Sequence, residues 1–158
     1  MAYTTSDLLA LGLEFDNDPA GLGYPAGGVE NTANDVPFSD AINLVRESLQ
    51  IKKRSLATSA IAGVIDPTEH EALSDAQARW LKDCVLDVGT IDVLTATQAV
   101  EGLKLRFPTN TSSGVAIRAL FTQAGNRLQQ MFEQGLISEI GSFTSSIPGA
   151  IRSARLAQ

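Results

Sequence analysis

The sequence has few of the side chains that most often act in catalysis, since its 158 residues include only one cysteine and one histidine. Cys84 has no second cysteine for an internal disulfide bond, and His70 has no partner at a zinc-binding spacing. No Gly-x-Ser-x-Gly turn is present to hold a nucleophilic serine. The glycines Gly21 and Gly23 precede Pro25 rather than a helix, which does not suit a phosphate-binding loop. We therefore expect neither enzyme activity nor a cofactor.

A complete set of calcium ligands is also missing. The stretch Asp16-Asn17-Asp18 begins like a calcium-binding loop, and Gly21 follows where such a loop has its turn glycine. The fifth position would be Ala20 and the twelfth Gly27, so the loop lacks a side-chain ligand and the essential bidentate glutamate. We interpret the acids as turn-forming residues and expect no metal site.

Basic residues are absent from the first 45 positions, which hold seven acidic ones, whereas the remainder has twelve basic and eleven acidic residues. An acidic third of the chain would repel phosphates, so we do not expect direct binding of nucleic acid. Lys52, Lys53 and Arg54 form the only basic cluster. We interpret this cluster either as solvated surface or as a contact for the acidic segment of another copy.

Long hydrophobic runs are missing too, and none approaches the roughly 18–20 residues that span a bilayer. The first residues carry no basic charge and do not begin an apolar stretch, as a signal peptide would. We therefore expect no membrane association and folding in the cytoplasm. The hydrophobic content of 44% is nevertheless enough for a folded core.

Capping signatures and apolar periodicity predict helices through most of the chain, so we expect a mainly α-helical fold, a small helical bundle. In the second half the predicted caps are Ser74 with Gln77, Thr95 with Gln98, Ser112 or Ser113, and Asn126 with Gln129. In the first half we predict helices at residues 6–13, capped by Ser6, and 39–50, capped by Ser39. Residues 51–65 fit either a strand or a helix.

Aromatic and aliphatic residues on the predicted helices indicate the core. We expect Trp80, Leu120, Phe121 and Phe132 to be buried there. Cys84 shares an apolar face with Trp80, which predicts a buried and inert thiol.

Two segments lack helical periodicity. Residues 16–37 are rich in glycine, proline and asparagine, and residues 141–158 are rich in serine and glycine at their start. We predict a single helical domain at 1–140, with the long N-terminal loop 16–37 within it, and an extended C-terminal tail at 141–158. We expect neighbouring chains to hold both segments. A chain truncated at Gly141 should then fold without assembling.

The stretch Asn17-Asp18-Pro19-Ala20-Gly21-Leu22-Gly23-Tyr24 contains the pattern DP-x-G-x-GY. A second feature is the order of elements from Ala72–Leu81, with its LS-x-AQ-x-x-WL-like opening, through Phe107-Pro108 to Asn126–Phe132. In these two features the chain resembles a family of small virion-associated structural proteins of tailed bacteriophages. The resemblance covers roughly residues 15–30 and 72–135 and implies no catalytic residues.

The resemblance implies a structural virion protein, and we expect a head–tail connector of the adaptor type in the neck. Such a subunit would form a ring with its own copies and bind other virion proteins, after assembly in the cytoplasm of the bacterial host. A capsid decoration or tail accessory protein is an alternative, and a non-virion helical regulatory protein is another. The expected assembly contacts are Asp18, Gly21, Gly23, Tyr24, Lys52, Lys53, Arg54, Phe143, Arg152 and Arg155.

Overall fold

The computed structural model describes residues 3–132 and 143–158, and the predicted mainly α-helical class is confirmed. In chain order the α-helices are α1 (Thr5–Asn17), α2 (Asp35–Asn43), α3 (Thr58–Val64), α4 (Pro67–Glu71), α5 (Asp75–Cys84), α6 (Thr97–Arg106), α7 (Ser112–Leu120), α8 (Arg127–Met131) and α9 (Ile147–Leu156). The strands are β1 (Arg46–Lys52), β2 (Leu56–Ala57), β3 (Thr90–Ile91) and β4 (Thr122–Gly125). In the described part of the chain, β1 pairs with β4, and β2 pairs with β3.

The chain divides into two compact units. The first unit comprises Met1–Leu49 and Gly125–Gln158, and the second comprises Gln50–Ala124. This division differs from the expected helical domain at 1–140 with a separate tail at 141–158. The C-terminal segment belongs to the first unit because α9 packs against α1.

A group of aromatic rings forms the centre of the first unit. Phe15 on α1 stacks on Phe38 of α2, with ring centroids 4.2 Å apart, and the rings of Tyr24 and Phe143 meet Phe15 edge-on. Aromatic pairs of this kind contribute about 0.5–1.5 kcal/mol each beyond the burial of their area. The aliphatic members of this core are Leu11, Val29, Ile42, Leu128 and Ile151. Both ends of the chain therefore supply one core.

The C-terminal segment is helical where an extended tail was predicted. Residues 141 and 142 of that segment lie outside the described residues, Phe143 is buried, and α9 begins at Ile147. Pro148 lies in the first turn of α9, where the missing amide hydrogen is tolerated. Ile151 and Ala154, three residues apart, form the buried face. The prediction was wrong because the serine, proline and glycine residues before Ala150 are typical of a loop.

The second unit has its own apolar core, to which α3, α5, α6 and α7 contribute. Its two short strands are antiparallel, with Leu56 opposite Ile91 and Ala57 opposite Thr90. The buried members of this core are Leu56, Ile61, Leu81, Val85, Ile91, Val93, Val100, Leu103, Phe107, Ile117 and Phe121. Glycine at position 114 allows α7 to begin directly against the backbone carbonyls of Phe107 and Pro108.

Strand β1 begins inside the segment that was predicted as a helix at 39–50. The helix there, α2, begins four residues earlier than predicted and ends at Asn43. Farther on, Leu49 and Ile51 are buried while the residues between and beside them are exposed. This alternation is typical of a strand with one buried face. Residues 51–65, for which the sequence fitted either a strand or a helix, contain both: they are extended at the start and helical from Thr58.

Two predicted helix caps are confirmed. The hydroxyl of Ser74 accepts a hydrogen bond from the amide of Gln77, whose side chain accepts one from the Ser74 amide. Asn126 and Gln129 form the same reciprocal pair at the start of α8. Each box supplies partners to amides that the first helical turn leaves free.

The other predicted caps are wrong. Thr4 rather than Ser6 caps α1, and Thr111 rather than Ser112 or Ser113 caps α7. Thr95 does not cap α6, which begins two residues later. The reason is that the carbonyl of Asp92 accepts hydrogen bonds from the amides of Thr95 and Ala96, which turns the chain before the helix.

The expected core residues divide into buried and half-buried ones. Phe121 is buried, whereas Trp80, Leu120 and Phe132 are half-buried against the cores of their units. Cys84 was predicted to be buried, and it is exposed. Helix α5 turns Leu81 inward and Val85 follows it into the core, which leaves Cys84 at the margin of the buried face.

Candidate functional site

The turn at Asp18–Tyr24 is held by one carboxylate. Asp18 ends α1 in the left-handed region, and its carboxylate accepts hydrogen bonds from the amides of Leu22 (2.7 Å) and Gly23 (2.8 Å). Gly21 and Gly23 have φ values of +66° and +80°, which glycine adopts without strain. A side chain added at either glycine would meet no atom within 4 Å. The tip of the turn therefore presents exposed backbone.

Tyr24, which was expected to make an assembly contact, is buried in the first unit. Its hydroxyl donates a hydrogen bond to Glu14 (3.1 Å), and Arg127 donates two more to the same carboxylate, from Nε (2.7 Å) and Nη2 (3.0 Å). Burial and the Glu14 charge raise the pKa of Tyr24 above its ordinary value. Tyr24 therefore anchors the turn internally, and its ring is not available on the surface.

The long loop after α1 is held by its own chain. The carboxylate of Asp16 accepts a hydrogen bond from the amide of Val29 (3.1 Å). The side-chain amide of Asn34 donates to the carbonyls of Ala26 (3.0 Å) and Gly28 (3.1 Å). These contacts hold the loop within its own chain, and contacts of the loop with neighbouring chains stay a prediction.

The expected contact residues Arg152 and Arg155 on α9 pair with acids of the same unit. Arg152 binds both carboxylate oxygens of Asp35, at 2.8 and 3.0 Å, and these hydrogen bonds raise the pKa of its guanidinium. Arg155 contacts Asp16 (2.6 Å) and Glu30 (3.0 Å). The acidic N-terminal third of the chain is thus neutralised in part by its own C-terminal arginines. Phe143, expected in the same role, is buried in the aromatic core of the unit.

The basic cluster at 52–54 does not form one continuous surface in the second unit. Lys52 is exposed and Lys53 is half-buried. Successive residues of an extended chain point to opposite sides. The backbone of Lys53 is fixed by hydrogen bonds with Phe121 (2.8 Å) and Val93 (3.1 Å). Arg54 pairs with Asp92 at 2.7 Å.

In the second unit, Lys52 lines a cleft together with Lys104 and Arg118, two basic residues that the sequence pattern did not group with it. This cleft, called the basic cleft below, has a volume of about 400 Å³ and includes Lys52, Lys104 and Arg118 in its walls. Its apolar lining consists of Val93, Leu94, Val100 and Phe121, and Thr97, Glu101 and Thr122 complete it. Clefts of this size with apolar walls and a few charged groups are typical binding sites.

The charges of Lys104 and Arg118 in the basic cleft are only partly compensated. Lys104 lies 3.4 Å from Glu101. The guanidinium of Arg118 donates to the backbone carbonyls of Phe107 (2.8 Å), Gly114 (2.9 Å) and Lys104 (3.4 Å). These carbonyls fix the position of Arg118 but carry no net charge, so the cleft attracts anions. No local signal in the sequence joins residues 52, 104 and 118, because they lie on β1, α6 and α7 and meet only through the packing of the second unit.

The two units differ in net charge. The first has ten acidic and four basic residues, and the second has eight of each, so the formal charge of −6 belongs to the first unit. The sequence suggested an acidic N-terminal third, and the fold distributes that acidity over a unit built from both ends of the chain. A basic cleft on a neutral unit and an acidic unit in the same chain are electrostatically complementary surfaces.

Comparisons with protein-family models, with curated proteins and with solved structures give no match to this chain. Within residues 3–132 and 143–158, no helix combines the length and the hydropathy that are needed to cross a membrane. The same residues contain no cluster of three or more histidine, cysteine or acidic side chains arranged to bind a metal ion.

Proposed function

We propose that this protein is a structural subunit of a tailed-phage particle, an adaptor-type connector in the neck that forms a ring with its own copies. It would be assembled in the cytoplasm of the bacterial host and reside in the virion, in contact with other virion proteins. The family resemblance of the turn at Asp18–Tyr24 and of the helix order supports this proposal.

The structural observation that best supports the proposal is the apolar outer face of α2. Val36, Leu44 and Val45 lie on or directly after this helix and are 56–60% exposed. Apolar side chains grouped on a surface indicate a contact with another protein, whereas isolated ones do not. None of these three side chains belongs to the apolar core of the unit.

A ring also requires two different surfaces on each subunit, because each copy contacts its neighbours through unlike patches. The chain has such a pair in the outer face of α2 and the basic cleft. An enzyme function has no comparable support, since the residues that line the cleft include no histidine or cysteine and no cluster of side chains that could bind a metal ion.

The test is quantitative mass spectrometry of purified phage particles, with the peptides of this protein scaled to those of the major shell protein. A ring at one vertex predicts roughly six to twelve copies per particle. Hundreds of copies would indicate a decoration or tail accessory protein instead. Absence from the particle would overturn the proposal and favour a non-virion regulatory protein.

A further inference from the structure

We propose that the outer face of α2 in one copy of the chain docks into the basic cleft of the second unit in another copy. This inference rests on the proposed function, because it names the two surfaces through which the ring-forming subunit would contact its neighbours. The occupant of the cleft is therefore a second copy of this chain.

The outer face of α2 presents apolar groups around one carboxylate. Val36 and Asp40 are four residues apart, and Leu44 follows four residues later at the end of the helix, so the three lie along one side. Phe38 and Ile42 occupy the opposite side and are fully buried. The fixed position of those two residues determines which side of α2 faces outward.

The carboxylate of Asp40 is available for an intermolecular contact. Asp40 is exposed, and among the described residues its carboxylate has no hydrogen-bond or ion-pair partner. This distinguishes Asp40 from Asp16, Glu30 and Asp35 in the same unit, which pair with arginines of α9. A carboxylate surrounded by apolar side chains gains most from a partner that offers both a cation and an apolar surface.

The basic cleft offers this combination. Lys104 and Arg118 supply positive charge, and Val93, Val100 and Phe121 supply an apolar lining. Arg118 is held in place by three backbone carbonyls, so little side-chain entropy is lost when it meets an anion. Asp40 would approach Lys104 and Arg118 while Leu44 and Val45 enter the apolar part.

This contact would be heterologous, because a helix face meets a cleft. Each copy carries one of each surface, so the contact can repeat from copy to copy and close into a ring. The net charge of −6 on the unit that carries α2 would add long-range attraction toward a cationic cleft on a neutral unit.

The first experiment measures the mass of the purified full-length chain by light scattering coupled to size exclusion, over a series of concentrations. We expect the wild-type chain to form species larger than a dimer. Leu44→Ser removes an apolar contact and Asp40→Arg places like charges together, so each should weaken self-association on the order of tenfold or more. Circular dichroism would establish that both variants remain folded.

Two further variants make the assignment specific. Leu156→Ser is the matched control, because Leu156 is also an exposed leucine of the first unit, at 89%, but belongs to α9 and is not one of the residues of the proposed surface. It should leave self-association unchanged. Lys104→Asp alone should weaken self-association, and combining it with Asp40→Arg should restore much of it, because the charges are then exchanged across the contact.

Several outcomes would overturn the inference. They are a wild-type chain that stays monomeric at concentrations on the order of 1 mM, equal effects of Leu156→Ser and Leu44→Ser, or no recovery in the exchanged pair. The proposed function has a separate readout in the copy number per particle. If the protein is present in particles at ring copy number but its self-association is insensitive to these variants, the proposed function stands and the inference fails. If the variants weaken self-association as expected but the protein is absent from particles, the contact stands and the proposed function fails.

Discussion

Glu14 brings a carboxylate into the aromatic core of the first unit, where its side chain is only 2% exposed. Three hydrogen bonds hold it there, two from Arg127 and one from Tyr24. Removing one partner of a buried ion pair typically costs about 3–5 kcal/mol because the remaining charge is left without compensation. This group therefore fixes the loop and α8 against α1, far more firmly than exposed pairs such as Lys104 with Glu101 would.

Tyr24→Phe is expected to make the first unit less sensitive to alkaline pH. Burial and Glu14 raise the pKa of Tyr24, so the folded state holds the phenolic proton more tightly than the unfolded state does. The stability from this group is fully present below the unfolded value of about 10 and is lost as pH rises through the folded pKa. The variant loses a hydrogen bond to a charged group, worth about 1.5–3 kcal/mol at neutral pH. Denaturant unfolding at a series of pH values measures both effects.

The comparison is best made in a Tyr3→Phe background, because the chain has two tyrosines and burial also raises the pKa of Tyr3. Tyr24 is then the only phenol, and its absorbance reports its titration directly. Equal losses of stability above about pH 9 with and without Tyr24 would contradict the assignment of the alkaline sensitivity to this residue.

The packing of α9 on α1 depends on a glycine in the middle of α1. A β-carbon built at Gly12 would lie 3.0 Å from Cγ2 of Ile151 and 2.6 Å from Nη2 of Arg155. Arg155 cannot move aside freely, because it is paired with Asp16 and Glu30. The glycine therefore lets the two helices approach, although glycine inside a helix is intrinsically unfavourable.

Gly12→Ala should destabilise the first unit by about 1–2 kcal/mol, because the crowding outweighs the gain of up to about 1 kcal/mol in helix propensity. Gly63→Ala in α3 is the matched control, since a β-carbon there meets no atom within 4 Å. This control should stabilise the protein by about 0.5 kcal/mol. Thermal unfolding of both variants measures the difference. A Gly12→Ala protein as stable as the control would show that α9 does not pack tightly on α1.

Sequence patterns predicted those elements whose determinants lie within one helical turn. The boxes of Ser74 with Gln77 and of Asn126 with Gln129 are of this kind, since both partners are three residues apart. The strand β1 was missed because its strand character depends on pairing with β4, some 70 residues away. Local patterns do not contain such information, and tertiary context overrides weak propensities.

The candidate site was predictable only in part for the same reason. Lys52 was recognised as part of a basic cluster, but Lys104 and Arg118 join it only through the packing of the second unit. The sequence predicts assembly contacts for the arginines of α9 and does not predict their acidic partners within the unit, because those partners lie more than 100 residues earlier in the chain. Charge counts by sequence segment could not reveal that these opposite charges meet inside one unit.

For the whole molecule, the two units differ in the way the chain builds them. The second unit, Gln50–Ala124, is continuous, whereas the first is assembled from residues near both ends of the chain. All eleven buried residues of the second core lie between positions 56 and 121. The first core instead combines Leu11, Phe15 and Phe38 with Leu128, Phe143 and Ile151.

A fragment comprising residues 50–124 should therefore fold alone, whereas a fragment comprising residues 1–49 should not. The second unit retains its entire core and a net charge of zero, although domains of about this size are only marginally stable. Fragment 1–49 lacks the partners that cover Phe15 and pair with Glu14. Cooperative thermal unfolding and dispersed amide resonances would identify a folded fragment. A disordered 50–124 fragment would contradict the independence of the second core.

The first unit has a complementary test. If it is correctly assigned, adding a peptide of residues 125–158 to fragment 1–49 should restore helical structure.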